Sequence, residues 1–402
     1  MKIKFGLLPR IAVAIVLGIA IGSIAPEWMV RLFTTFTTVF GSFLNFIVPL
    51  IILGFIAPGI AQLGKGSGKL LGLATTFAYL STIIAGTLAF FAATTILPNF
   101  MGGKSLGEIE NPEEALATSF IALDLPPVFG VMSALILAFL LGIGMAATES
   151  KTMITFFEEF QAIIEKTISR VIIPLLPFHI FGIFANMAYG GAVAKILSLF
   201  AIVFVMIIIL HWTMLAIQYT AAGSLNKKNP LYLLKTMMPA YFTALGTQSS
   251  AATIPVTLRQ ARKTGANERV TDFTVPLFAT IHLSGSTITL VSCAIGVLLL
   301  TGGTPAFGSF FPFILMLGVT MIAAPGVPGG AVMAAIGLLE TMLGFDQTMV
   351  ALMIALYLAQ DSFGTATNVT GDGALAMIVD RFTREEKVFE TSSDKVLKST
   401  NI

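Results

Sequence analysis

The chain has 402 residues, 56% hydrophobic and 11% charged, with a formal net charge of +2 and a mean hydropathy of +0.91. Soluble domains carry roughly a quarter charged residues, so this chain lacks the means to cover a water-facing surface and reads as an all-α polytopic membrane protein. The small net charge gives no ground for a nucleic-acid partner, and one cysteine with three histidines rules out an internal disulfide and argues against a Cys/His zinc site.

Apolar segments predict spans near 7–25, 38–63, 70–98, 128–147, 158–188 and 194–222. The first follows Lys2, Lys4 and Arg10. It is long enough to cross a bilayer and no A-x-A cleavage site follows, so it reads as a membrane helix and not as a signal peptide. Its basic flank places the N-terminus in the cytoplasm. Lys65 and Lys69 fall in the next inside loop, the outside loop 99–127 is acidic (Glu108, Glu110, Glu113, Glu114, Asp124), and Lys227 and Lys228 follow the sixth span. Six crossings therefore agree with one topology.

Beyond residue 230 the spans are interrupted. The segment 230–261 is broken by GTQSSAATIP (246–255) and has basic residues at both ends: Lys227, Lys228 and Lys235 before it, Arg259, Arg262 and Lys263 after it. Both ends are expected inside, which makes the segment a re-entrant hairpin. A second interrupted segment, 305–344, is broken by AAPGVPGG (323–330) and carries no Lys or Arg on either flank, as suits a hairpin entered from outside. A full span with the break IHLSGS (281–286) lies between them, and a last span leads to Arg381, Arg384 and Lys387 inside. The expected architecture is eight transmembrane helices plus two re-entrant helical hairpins, with hairpin and span repeated in opposite orientation, the inverted-repeat signature of a secondary transporter. Backbone that leaves helical geometry in lipid is tolerated only around a polar cavity. Half-helix N-termini there offer a partial positive charge to a carboxylate, and half-helix carbonyls suit a hard cation.

The last span carries the chemistry. Within 359–380, Asp361, Thr365, Asn368 and Asp372 recur at spacings of four, three and four, which on a helix stacks all four on one face. Two carboxylates on a membrane-length helix are costly unless a cation or hydrogen-bond donors meet them. The stripe reads as a holder of a cation and a small polar solute; a structural polar seam between helices is the other reading.

A serine-rich first hairpin tip, a short polar break in the next span, a GVPG second tip and D-x-x-x-T-x-x-N-x-x-x-D together resemble the dicarboxylate/amino acid:cation symporter family, the glutamate transporter homologues. PLLPFHIFGIFA (174–185) also resembles that family's fifth span. The resemblance implies an elevator-type homotrimer in the cell (inner) membrane, with both termini cytoplasmic. In it a scaffold (1–69, spans 1–2; 99–193, spans 4–5) stays fixed while a transport domain (70–98, span 3; 194–387, span 6 to span 8 with both hairpins) slides, and 388–402 is a cytoplasmic tail, read as disordered.

Carried over residue by residue, the resemblance implies that Asp361 pairs with the substrate's amino group, an ammonium supplying the cation that a buried carboxylate needs. Asn368 matches the contact to main-chain groups, Thr365 a side-chain contact, and Ser249 and Ser250 the hairpin contact to the α-carboxylate. Val327 would cover the substrate through its backbone, and Ser286 lines the same cavity. Gly364 stands where acidic amino acid transporters hold arginine, and Gln248 where some relatives hold a second one. Without a guanidinium a second substrate carboxylate has no bidentate partner. The expected substrate is therefore a small neutral amino acid such as serine, threonine or alanine, and 248–252 and 360–362 look like the sodium:serine/threonine symporter branch. Uptake of acidic amino acids or dicarboxylates is the alternative.

The same resemblance implies a first sodium site from Asp372 and the carbonyls of Phe278, His282 and Asn368. A second uses carbonyls of Thr280, Met321, Ile322 and Ala324. A third, at Tyr79, Thr82 and Ser284, is doubtful, because the usual N-M-D-G-T break is His282-Leu283-Ser284-Gly285-Ser286 here and Ile83 replaces a hydroxyl residue. Fewer coupled ions are expected than in glutamate transporters. His282 has two readings: a proton carrier that makes H+ a coupling ion, or a residue whose carbonyl alone matters. No enzyme is expected. LSGS lacks the G-x-S-G order of an intramembrane serine protease, and Val369 stands where an aspartyl one needs glycine. Expected partners are the amino-acid substrate, membrane lipids and further copies of the chain.

Overall fold

Alanine, leucine and isoleucine in long uninterrupted runs satisfy their backbone polar groups within one segment, the condition for a helix in lipid. The computed structural model describes residues 7–63, 68–101, 117–121, 123, 125–191, 193–321 and 329–399, and every regular element among them is helical. In chain order these are α1 (Leu7–Gly22), α2 (Glu27–Leu63), α3 (Gly68–Met101), α4 (Val131–Thr148), α5 (Lys151–Thr167), α6 (Ile173–Tyr189), α7 (Val193–Asn226), α8 (Pro230–Thr247), α9 (Ser250–Lys263), α10 (Glu268–Ile281), α11 (Ser284–Leu300), α12 (Phe307–Met321), α13 (Gly330–Leu343) and α14 (Gln347–Ser399). Among the described residues Glu27–Ala61, Leu70–Phe100, Lys151–Tyr189, Phe200–Asn226, Glu268–Leu300 and Gln347–Thr383 are long and apolar enough to cross a membrane, with shorter apolar helices between them. The chain is a multi-pass membrane protein.

Three boundaries differ from the sequence reading. Helix α2 begins at Glu27 and not near 38, because the hydroxyls that lower the hydropathy there are absorbed by the helix itself: Thr34 and Thr35 donate to the carbonyls of Val30 and Arg31 one turn back. The fifth span begins at Lys151 and not near 158, capped by the Ser150 side chain, and its charges keep the first turns polar. It joins α6 through a single π turn, Ile168–Ile172, where Pro174 cannot supply an N–H and the ladder slips by one residue. Helix α14 runs to Ser399, through the stretch read as a disordered tail; its Glu and Lys residues are good helix formers.

Lipid gives helices no hydrophobic reason to associate, so close approach at small residues does that work. A Cβ at Gly18 of α1 would stand 2.7 Å from the Phe181 carbonyl of α6, and one at Gly22 would run into the Ala185 backbone. Gly142 of α4 meets Ile60 and the Ala57 carbonyl of α2 in the same way. Helices α1, α2, α4, α5 and α6 thus pack as one group. Of the remaining helices, α3 and α7 to α10 pack around α11 and α14, which are buried over most of their length, while α12 and α13 pack on each other, α12 also on α3 and α13 also on α2, α4 and α14.

Two helix pairs fold back on themselves. Between α8 and α9 the chain turns through Gln248 in the left-handed region (φ 54°), and Ser249 caps α9 by accepting the N–H of Ala252 at 3.3 Å. Helices α12 and α13 pack together likewise, and α13 starts from Gly329 at φ 77°, a conformation that glycine takes without strain. Most of that second tip, residues 322–328, lies outside the described residues.

Candidate functional site

The polar stripe of α14 faces inward. Asp361 is 6% exposed, and Asn368 and Asp372 are each 1% exposed. Thr365 is buried with them. Each of the other three meets a different interruption in the helical framework.

Asp361 accepts the Gly329 N–H at 2.7 Å, so the carboxylate is held to the end of the second hairpin tip. No Lys or Arg among the described residues pairs with it. Asn368 meets the start of α11. The first-turn N–H groups of a helix have no partner inside it, and here the Asn368 Oδ1 accepts them from Gly285 (2.7 Å) and Ser286 (3.3 Å). Its Nδ2 donates to the Ser286 hydroxyl at 3.0 Å. One asparagine therefore caps a helix on another element and orients the serine beside it. This approach needs glycine: a Cβ at Gly285 would lie 2.5 Å from the Gly364 carbonyl and 2.7 Å from Thr367 Cβ. A Cβ at Gly364 itself would be 3.4 Å from the Ser286 nitrogen, ordinary contact, so that position leaves room for the first atom of a side chain.

Asp372 meets the break between α10 and α11. The chain leaves helical geometry at His282 (φ −106°, ψ 97°), and the His282 ring turns onto Asp372, Nδ1 to Oδ1 at 2.8 Å. Asp372 Oδ2 is buried without a protein partner. An anionic oxygen left bare in that setting is costly unless a cation takes it, so the donor chemistry fits a hard cation such as Na+. The Phe278 carbonyl caps the same break by accepting the His282 N–H at 2.9 Å.

The other residues singled out from the sequence distribute as follows. Ser250 is buried at the start of α9, and the Ser249 hydroxyl is engaged in capping it; α8 and α9 both pack against α14. Thr280 is exposed and gives its hydroxyl proton to the Leu277 carbonyl. Met321 is buried at the end of α12. Ile322, Ala324 and Val327 lie outside the described residues. Tyr79 donates to the Leu315 carbonyl on α12 at 3.1 Å, and Thr82 to the Ala78 carbonyl of its own helix. Ser284 accepts from Gln218 Nε2 at 3.2 Å.

Sequence reasoning missed several members of this neighbourhood. His211 of α7 contacts the Gly285 carbonyl at 3.0 Å, Tyr219 donates to the Thr370 carbonyl at 2.6 Å, and Gln218 reaches the His282 ring. The signal was present: Gln218 and His211 are polar residues inside an otherwise apolar span, which marks a functional neighbourhood in membrane proteins. Tyr357, fully buried one turn before Asp361, carried no such signal.

Comparison with known proteins identifies the family. Residues 7–382 match the model of the sodium:dicarboxylate symporter family. The chain is 25% identical over 397 residues to the serine/threonine transporter SstT of Acinetobacter baylyi, covering 94% of this chain and 98% of that one. It is 28% identical over 255 residues to excitatory amino acid transporter 1 of Ambystoma tigrinum, covering 62% of this chain and 46% of that one. It is also 25% identical over 405 residues to an excitatory amino acid transporter of Caenorhabditis elegans, 85% and 79% covered. With nearly its whole length matched, the chain belongs to the sodium:dicarboxylate symporter family.

Proposed function

We propose that the protein couples the downhill entry of Na+ to the uptake of a small neutral amino acid such as serine, threonine or alanine. The observation that carries this reading is Asp361: a buried carboxylate that meets a backbone N–H and no cationic side chain among the described residues. A substrate ammonium completes it, which favours amino acids over plain dicarboxylates. Gly364 and Gln248 supply no guanidinium for a second substrate carboxylate. The serine/threonine relative, aligned over almost all of both chains, supports the same choice; the excitatory amino acid transporters, by their names, favour acidic substrates.

In this reading Asp361, Thr365, Asn368, Ser286, Ser250 and the backbone near Val327 hold the substrate, with Gly364 setting its charge preference. Asp372 with the carbonyls of Phe278, His282 and Asn368 holds one Na+, and the carbonyls of Thr280, Met321, Ile322 and Ala324 a second. The grouping of α1, α2, α4, α5 and α6 apart from α3 and α7 to α14 supports a scaffold and a moving transport body. The folded-back pairs α8/α9 and α12/α13 then serve as hairpins entering from opposite leaflets, and the assembly is a trimer.

Uptake of labelled serine, threonine, alanine and aspartate into proteoliposomes, with and without an inward Na+ gradient, tests the proposal. Concentrative, Na+-dependent uptake of a neutral amino acid is expected. Uptake confined to aspartate, or indifferent to Na+, would refute it.

A further inference from the structure

Gln218, on α7, is buried among three polar groups, from α3, α11 and the break between α10 and α11. Its Nε2 lies 3.0 Å from Ser81 Oγ on α3, 3.2 Å from Ser284 Oγ on α11 and 3.3 Å from His282 Nε2. Ser81 Oγ is itself 3.0 Å from His282 Nε2, and the other ring nitrogen holds Asp372. The amide oxygen rests against Gly371, where a Cβ would come within 2.5 Å of it.

An amide nitrogen has two protons and accepts none. Turning the amide round would leave both N–H groups against Gly371 with no acceptor, and buried unpaired N–H groups are rarer than under-satisfied carbonyl oxygens. With the nitrogen toward the serines, its two protons go to Ser81 Oγ and Ser284 Oγ. Asp372, as a carboxylate, only accepts, so with Gln218 already donating to Ser81 Oγ the Ser81 hydroxyl proton is directed to His282 Nε2, which accepts. The ring proton therefore sits on Nδ1 and is donated to Asp372 Oδ1. The hydrogen bonds run in one direction, from Gln218 through Ser81 and His282 to Asp372.

We propose that Gln218 is a positioning residue for the cation site: it fixes the His282 ring as an Nδ1–H donor and leaves Asp372 Oδ2 as the one anionic oxygen presented to Na+. The inference rests on Asp372 being a cation ligand. It also bears on the third ion position, since the Ser284 oxygen there receives an N–H, a poor neighbour for a cation.

Two measurements test it. In ¹⁵N spectra of histidine-labelled protein, the His282 signals are identified by their loss in His282→Asn. An unprotonated Nε2 and a protonated Nδ1 are expected, and a proton on Nε2 overturns the proposal whatever the transport activity. Gln218→Met keeps the length of the side chain and removes the donor. Its half-saturating Na+ concentration should rise about tenfold, while substrate affinity at saturating Na+ stays within about twofold and the two ring nitrogens lose their distinction. Unchanged Na+ half-saturation in a folded variant overturns the proposal. If Gln218→Met does not fold, the wild-type spectrum still decides. Complete indifference of the wild-type protein to Na+ overturns the symport reading along with it, before any variant is made.

Discussion

In the proposed function Asp361 and Gly364, three positions apart on α14, divide the labour of substrate choice between them. Removing the charge at Asp361 takes away the proposed partner of a substrate ammonium and leaves the Gly329 N–H a neutral amide oxygen in place of a carboxylate. Truncating one side of a buried, hydrogen-bonded charge pair costs about 2–5 kcal/mol. Asp361→Asn should therefore weaken amino-acid binding by at least about 30-fold in calorimetry, while Na+ binding at Asp372 persists. Binding within about threefold of wild type would show that the ammonium goes elsewhere. Gly364→Arg makes the reverse change. Its Cβ meets only ordinary contacts beside Ser286, and the guanidinium adds a bidentate partner for a second carboxylate. Aspartate uptake relative to serine should rise by at least about tenfold. A folded variant that still ignores aspartate would place the side-chain end of the substrate away from residue 364.

At the scale of elements, the site exists because α11 starts in mid-protein and α14 passes across its start. The free N–H groups of Gly285 and Ser286 need an acceptor, and Asn368 supplies one only because Gly285 has no side chain. Gly285→Ala would push a methyl group against the Gly364 carbonyl, with no flexible side chain to give way. Overpacking of this kind costs about 1–3 kcal/mol. The purified variant should melt at a lower temperature and bind substrate more weakly, and an unchanged melting temperature would mean that α11 and α14 are less tightly joined than the geometry implies. The break at His282–Leu283 and the ends of the folded-back pairs serve the same purpose: each brings backbone donors or carbonyls to a place where an intact helix would have hidden them.

For the whole molecule the decisive question is whether the two packed groups of helices move past one another. They meet where α13 packs on α2 and α4 and where α14 packs on α1 and α6, and a further contact lies between α2 and the start of α14, where a Cβ at Gly41 would be 3.4 Å from the Gln347 side-chain oxygen. Cysteines at 41 and 347, joined by a short thiol-reactive linker, should stop uptake and leave substrate binding intact. The native Cys293 is fully buried and would not compete. Uptake that survives complete cross-linking would rule out relative motion at this contact as a step of transport.

Composition and pattern alone determined that the chain lives in a bilayer, that its helices are interrupted near 248 and 283 and between α12 and α13, and that one face of the last span carries Asp361, Thr365, Asn368 and Asp372. These are local properties: hydropathy and a 3.6-residue period are written in consecutive residues. The helix boundaries at Glu27 and Lys151 were less legible, because hydroxyls and charges that lower hydropathy are accommodated once a helix forms around them. What each stripe residue meets was decided by tertiary structure alone. That Asp361 takes the Gly329 N–H, that Asn368 caps α11, that the His282 ring meets Asp372 and that Gln218 reaches that ring depends on residues 32 to 90 positions apart coming within 3.3 Å. No local period encodes such distances; packing around Gly285 and Gly371 does.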